Sequence, residues 1–243
     1  MTIFAGTSDQ ALEVVRRLVS SGTGGYVTFT GAHGVAEATR SPRVMDAHRN
    51  ASLVLPDGVP LTWVGRLAGI RMEQIAGPRF IYMVLRAAAD NGWRVYLFGA
   101  QEATLETFAQ RVGRGRHGVD VVGWESPPFG DPAEWPNAEM LSRIDSAQAD
   151  VVLVALSTPK QELWMNEVTG IAVSGSKRPL LFGFGAAIDL VAGAQSSVPR
   201  WVHGSGVEWL YRLVKEPRRL WRRYAFAVPT FVWLALRHPA RRT

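Results

Sequence analysis

Asp150-Val-Val-Leu-Val-Ala-Leu-Ser-Thr-Pro-Lys-Gln-Glu162 reads as a buried strand that turns directly into a helix. Val151 to Leu156 is an unbroken apolar run, as expected of a strand covered on both faces. Ser157-Thr158-Pro159 ends it, and a helical pattern opens at Lys160 and continues to Val168. The same unit recurs outward along the chain. Further strands are expected at Tyr26–Thr30, Ser52–Leu55, Arg94–Gly99, Val119–Gly123 and Pro179–Gly183. Helices are expected at Asp9–Ser20, Val35–Asn50, Leu61–Ala68, Ile81–Asn91, Glu102–Val112, Ala138–Ala147 and Ala186–Ala192. This alternation predicts an α/β fold, a mostly parallel sheet covered by helices.

Composition fits that fold. Of 243 residues 47% are hydrophobic and 20% charged, enough for a core and too apolar for disorder. The absence of cysteine removes disulfide scaffolds, thiol nucleophiles and Cys-ligated metals. The net charge of +6 is unevenly spread. Residues 1–199 hold 17 Lys or Arg against 19 Asp or Glu, a balance of −2; residues 200–243 hold 10 against two, a balance of +8. The composition turns basic and Trp-rich near Ser197–His203, so residues 1–199 are expected to form the core and residues 200–243 a basic appendage. From Val207 to Lys215, Trp209, Leu210, Leu213 and Val214 share one helix side; after Pro217, Leu220, Trp221 and Tyr224 separate from Arg219, Arg222 and Arg223. Such helices lie in a headgroup region or pack as ordinary surface helices. No leader pattern opens the chain and no apolar run is long enough to span a bilayer.

Gly113-Arg-Gly-Arg-His-Gly118 matches the dinucleotide pattern GxGxxG, but a helix precedes it and a strand follows. A dinucleotide turn needs the reverse order, so a nicotinamide oxidoreductase loses its best support. Other strand ends carry chemistry. Leu55-Pro-Asp-Gly58 puts a carboxylate at a strand's carboxyl end, as a general base or as an ordinary turn. Ser157-Thr-Pro-Lys-Gln-Glu162 sets hydroxyls, a cation, an amide and an acid at a helix start, for anion binding or for capping. Phe182-Gly-Phe-Gly-Ala-Ala-Ile-Asp189 lets a ligand approach the backbone or lets helix and sheet pack closely. Leu97-Phe-Gly99-Ala100 is a weaker example. No Asp-x-Asp pair, HExxH, GxxxxGK[ST] or GxSxG occurs, so no metal site, P-loop or hydrolase nucleophile is expected.

In their order and spacing, Ala51-Ser-Leu-Val-Leu-Pro-Asp-Gly58, Ser157–Glu162, the run Phe182–Gly193 with Pro199-Arg-Trp201, and Gly206–Tyr224 resemble the WecG/TagA/CpsF family of bacterial glycosyltransferases. The resemblance runs from about Tyr26 to Leu236. It implies a Rossmann-like core, a UDP-sugar donor and a polyprenyl-diphosphate-linked acceptor at the cytoplasmic face of the bacterial plasma membrane. It implies inversion at the anomeric carbon, no cofactor and no metal, with Asp57 as the base. Thr30, Lys160, Gln161 and Glu162 would bind substrate, while Gly99, Gly183, Gly185 and Asp189 would lie near the nucleotide. Arg212, Arg219 and Arg222 would meet the donor diphosphate when the tail docks on an anionic membrane. The donor sugar would be of the ManNAc, ManNAcA or Glc type. Gly31 stands where members usually carry asparagine, and Gln74-Ile-Ala-Gly-Pro-Arg79 replaces a frequent Arg-Val-Thr/Ala-Gly-x-Asp. The rival class is a non-enzymatic anionic-lipid or nucleic-acid binder acting through the tail. The enzyme reading expects no nucleic-acid partner.

Overall fold

The computed structural model describes residues 1–113, 118–171, 177–194 and 217–237, without the side chains of 217–220, 222–224 and 236. Six strands form one sheet: β1 (Thr23–Thr30), β2 (Leu53–Pro56), β3 (Arg94–Gly99), β4 (Asp120–Glu125), β5 (Val151–Ala155) and β6 (Arg178–Gly183). Their order is β2-β1-β6-β5-β3-β4, and every pairing is parallel. The helices are α1 (Ser8–Ser21), α2 (Ala32–Arg40), α3 (Pro42–Asn50), α4 (Val59–Leu67), α5 (Gly77–Asn91), α6 (Glu102–Val112), α7 (Asn137–Ser146), α8 (Lys160–Thr169), α9 (Ala187–Ala192) and α10 (Pro217–Arg237). A short 3₁₀ turn, Pro132–Glu134, lies in the proline-rich passage before α7.

Local chemistry sets the boundaries. Thr7 and Gln10 close a capping box at the start of α1; Ala11, Val15 and Val19 bury one stripe, and Gly22 ends the helix at φ +65°. The continuous helix expected over Val35–Asn50 is corrected to two. Pro42 has no N–H to donate into a helix, and the Ser41 hydroxyl accepts from Val44 N–H at 3.4 Å, starting α3 afresh. The flanks of Gly113–Gly118 are helix α6 and strand β4, the order that excludes a dinucleotide turn.

Alternate residues of the central strands feed two cores. Val95, Leu97, Val151, Leu153, Leu180 and Phe182 pack with α1, α5, α6 and α9. Tyr96, Phe98, Val152, Val154 and Leu181 pack with α7 and α8, where the Phe98 and Trp164 rings stack 3.9 Å apart. The chain leaving β1 forms α2 and α3, with α3 against α8; the chain leaving β6 forms α9, against α5 and α6. Neighbouring strands whose chains leave toward opposite faces open a crevice at their carboxyl ends. Helix α10 packs along α2: the Arg40 guanidinium lies 4.5 Å from the Phe226 ring centroid, and Ala227 and Phe231 are buried.

Candidate active site

The crevice begins where β1 and β2 end together. Asp57 N–H donates to the Thr30 carbonyl at 2.9 Å. The two turns beyond are packed backbone to backbone, since a Cβ on Gly58 would lie 3.4 Å from Gly31 Cα. The Gln74–Gly77 segment folds back across this corner. Ile75 N–H donates to the Pro56 carbonyl at 2.8 Å and Gln74 Nε2 to the Asp57 carbonyl at 2.9 Å. Gly77, the first residue of α5, donates its N–H to Asp57 Oδ1 at 3.2 Å. A helix N-terminus favours negative charge, so α5 supports this carboxylate. The Gln74–Gly77 segment therefore positions Asp57; Arg79, beside it, is exposed.

Beneath Thr30 lies a residue that sequence reading missed. His48 on α3 is buried, with its ring nitrogens 3.3–3.5 Å from the hydroxyls of Thr28 and Thr30. Burial penalises the imidazolium, aided by the charged chain terminus, and lowers its pKa to about 4. The ring is neutral at pH 7. Its signal was available: Val44, Ala47 and His48 share the buried stripe of α3.

Across β1, the β5–α8 turn supplies the opposite wall. Helix α8 has no side-chain cap; the Thr158 hydroxyl donates to Glu162 Oε1 at 3.1 Å instead, so capping does not explain this motif. Gln161 is buried and its Nε2 bridges Glu162 Oε1 at 3.0 Å and the Gly183 carbonyl at 3.1 Å. Its Oε1 is buried with no hydrogen-bond partner among the described residues. That oxygen sits beside Gly185, whose added Cβ would lie 3.3 Å from it. Glu162 is fully buried, and its charge adds to the burial that raises the Tyr26 phenol above its ordinary range. Phe29 stacks on Phe184 at 5.0 Å and Phe184 on Phe182 at 5.5 Å, an aromatic floor between the β1 and β6 ends.

The remaining expected residues lie farther along the edge. Gly99, at φ +99°, ends β3 so close to β5 that a Cβ would meet the Ala155 carbonyl oxygen at 2.7 Å. With strands about 4.8 Å apart, Gly99 is four strand positions from Asp57 and suits only the far end of an extended ligand. Asp189 opens α9, and burial raises its carboxyl above the ordinary range. Lys160 is not brought to the Asp57 corner. Its Nζ donates to the Gly130 carbonyl at 2.6 Å and lies 5.0 Å from the Phe129 ring centroid, tying down the proline-rich loop. Arg212 lies outside the described residues; Arg219 and Arg222 are on α10, their side chains outside them too. Among the described residues no cluster of three His, Asp or Glu could hold a metal, and no helix is long and apolar enough to cross a membrane.

Fold and crevice together define an α/β protein with an open parallel sheet and a crevice at its carboxyl edge, the place where open α/β sheets generally bind ligands. Its kind of chemistry follows from its relatives. The whole chain, residues 1–243, matches the profile of the glycosyl transferase WecG/TagA/CpsF family, and the protein belongs to that family. It is similar to the N-acetylglucosaminyldiphosphoundecaprenol N-acetyl-beta-D-mannosaminyltransferase of Bacillus spizizenii, with 28% identity over 203 residues, 83% of this chain and 75% of the relative. The protein of the same name from Bacillus subtilis is 24% identical over 193 residues, 79% of this chain and 71% of that one. The chain is thus a glycosyltransferase. The oxidoreductase and the non-enzymatic binder are set aside.

Proposed function

We propose that this protein transfers a hexose or N-acetylhexosamine, with N-acetylmannosamine the first donor to test, from UDP to an undecaprenyl-diphosphate-linked sugar. One observation carries the reading. A carboxylate held at the β2 end lies two strand positions, about 10 Å, from the β6 end where a buried amide oxygen has no hydrogen-bond partner among the described residues. Asp57 takes the proton of the acceptor hydroxyl as that oxygen bonds to the anomeric carbon. The carbon–oxygen bond to UDP breaks on the opposite side, which inverts the centre. Gln161 Oε1 accepts from a donor N–H or O–H; Thr30, expected to bind substrate, is buried with its hydroxyl against His48 and backs the Asp57 corner instead. The leaving diphosphate gathers negative charge that paired arginine hydrogen bonds would neutralise, the role given to Arg212, Arg219 and Arg222.

The appendage from residue 200 onward is read as a membrane-associating unit at the inner face of the plasma membrane that completes the site only there. The packing of α10 on α2 supports this, because α2 starts at the Gly31 turn beside Asp57 and Gly58. No step is assigned to a metal; transfer is expected to persist in EDTA. The test is UDP release over a panel of UDP-sugars with a lipid-diphosphate acceptor. Asp57→Asn should keep the fold and UDP binding and lose transfer by about 10²–10⁴-fold. Near-normal turnover by that variant would sink the base assignment.

A further inference from the structure

Helix α4 leaves the crevice rim directly after Asp57 and carries an unexplained surface. From Gly58 to Met72 the chain has two arginines and no acid. Leu61 and Gly65 face inward, and Met72 folds back so closely that a Cβ on Gly65 would lie 3.1 Å from its methyl group. Packing on that side leaves Trp63 51% and Leu67 90% exposed, one helical turn apart. Arg66 and Arg71 are exposed beside them.

We infer that α4 is a second membrane-contact element, with Trp63 and Leu67 entering the headgroup region of an anionic bilayer and Arg66 and Arg71 meeting its phosphates. Tryptophan and leucine flanked by guanidinium groups match that boundary, where the apolar body is buried and the charge stays at the phosphate level. A second copy of the chain is a poorer occupant. A two-fold contact would bring α4 against itself, and the segment offers no acid to meet its own arginines. The outer face of α10 points to the same occupant, since Trp221, Val228, Val232 and Trp233 are all 40–53% exposed. Its inner face packs on α2, whose first turn abuts that of α4 at Gly31 and Gly58. Helix α4, at the Asp57 corner, and α10, packed on the neighbouring α2, thus both expose apolar side chains, and the crevice mouth would be held at the bilayer surface. The inference rests on the lipid-linked acceptor proposed above.

The absence of cysteine permits a clean test. The full-length Leu67→Cys variant is labelled with an environment-sensitive dye and mixed with vesicles of phosphatidylglycerol and phosphatidylcholine, or of phosphatidylcholine alone. The Glu106→Cys variant, on α6 across the sheet, is the control. The dye at position 67 should brighten severalfold on anionic vesicles and become quenchable from the lipid phase, while the control stays unchanged. Arg66→Gln with Arg71→Gln should weaken vesicle binding by roughly tenfold or more. An unchanged dye at position 67 on vesicle-bound protein would overturn the inference, as would failure to bind vesicles or brightening that needs only more protein. Insertion without turnover of any UDP-sugar would defeat the transfer reading and leave this contact standing. Turnover of a short-chain soluble acceptor without insertion would do the reverse.

Discussion

Gly183→Ala is the most direct test of how the crevice is held. The backbone at Gly183 is not left-handed, so an added methyl acts through space alone. It would lie 2.8 Å from the Met165 methyl carbon and 3.1 Å from both the carboxamide carbon and Nε2 of Gln161. The end of Met165 can swing aside. The Gln161 amide cannot move without losing its bond to the Gly183 carbonyl at 3.1 Å or to Glu162 at 3.0 Å. Overpacking of this kind costs about 1–3 kcal/mol, and a lost amide–carbonyl bond about 1 kcal/mol. The variant should therefore unfold in urea with its stability lowered by about 2 kcal/mol. Displacement of Gln161 should also lower kcat/KM for the UDP-sugar by roughly tenfold or more, each factor of ten being about 1.4 kcal/mol. A stability change under about 0.5 kcal/mol together with unaltered donor kinetics would refute both the packing argument and the role given to Gln161.

Two other outcomes follow from separate parts of the molecule. His48 has a folded pKa of about 4 against about 6.5 when exposed. The unfolded chain therefore binds the extra proton first as pH falls, and stability declines between those values by up to about 3 kcal/mol; urea titrations of His48→Gln should lack that component, and an unchanged pH slope would contradict it. Phe231→Ala, at a buried position of α10, removes about 3 kcal/mol of local packing; limited proteolysis should then cut α10 faster while the core melts as before, and unaltered cleavage would mean that α10 is held by something else.

The six strands were legible because each holds a short run rich in apolar residues that gives way to polar or turn-forming residues, and burial of the central strands on both sheet faces leaves few alternatives for such a run. The split between α2 and α3 was also written locally, in Ser41 followed by Pro42, but the apolar spacing that continues across them masks it. The strand ends that carry Asp57, Gln161 and Gly183 could be picked out one by one. What they touch could not. Gln161 reaches the Gly183 carbonyl across 22 positions of chain, and Lys160 reaches Gly130 across 30. Gln74 reads as a departure from a pattern and Gly77 as a match to it, and only the return of that segment over the β2 end shows them holding Asp57. Sequence spacing encodes which face a residue occupies; which strand ends become neighbours is set by the crossover order of the sheet.

That order has a consequence for how the enzyme comes into being. The last of these six strands along the chain, β6, sits inside the sheet, pairing Val27 with Phe182 on one side and Val151 with Leu180 on the other. Until residues 178–183 emerge from the ribosome, β1–β2 and β5–β3–β4 are two fragments, each with a bare edge awaiting the same strand. The wall bearing Gln161 and the corner bearing Asp57 first meet when that strand arrives. The nascent chain therefore passes through a stage in which the β1 and β5 edges stand open to mispairing.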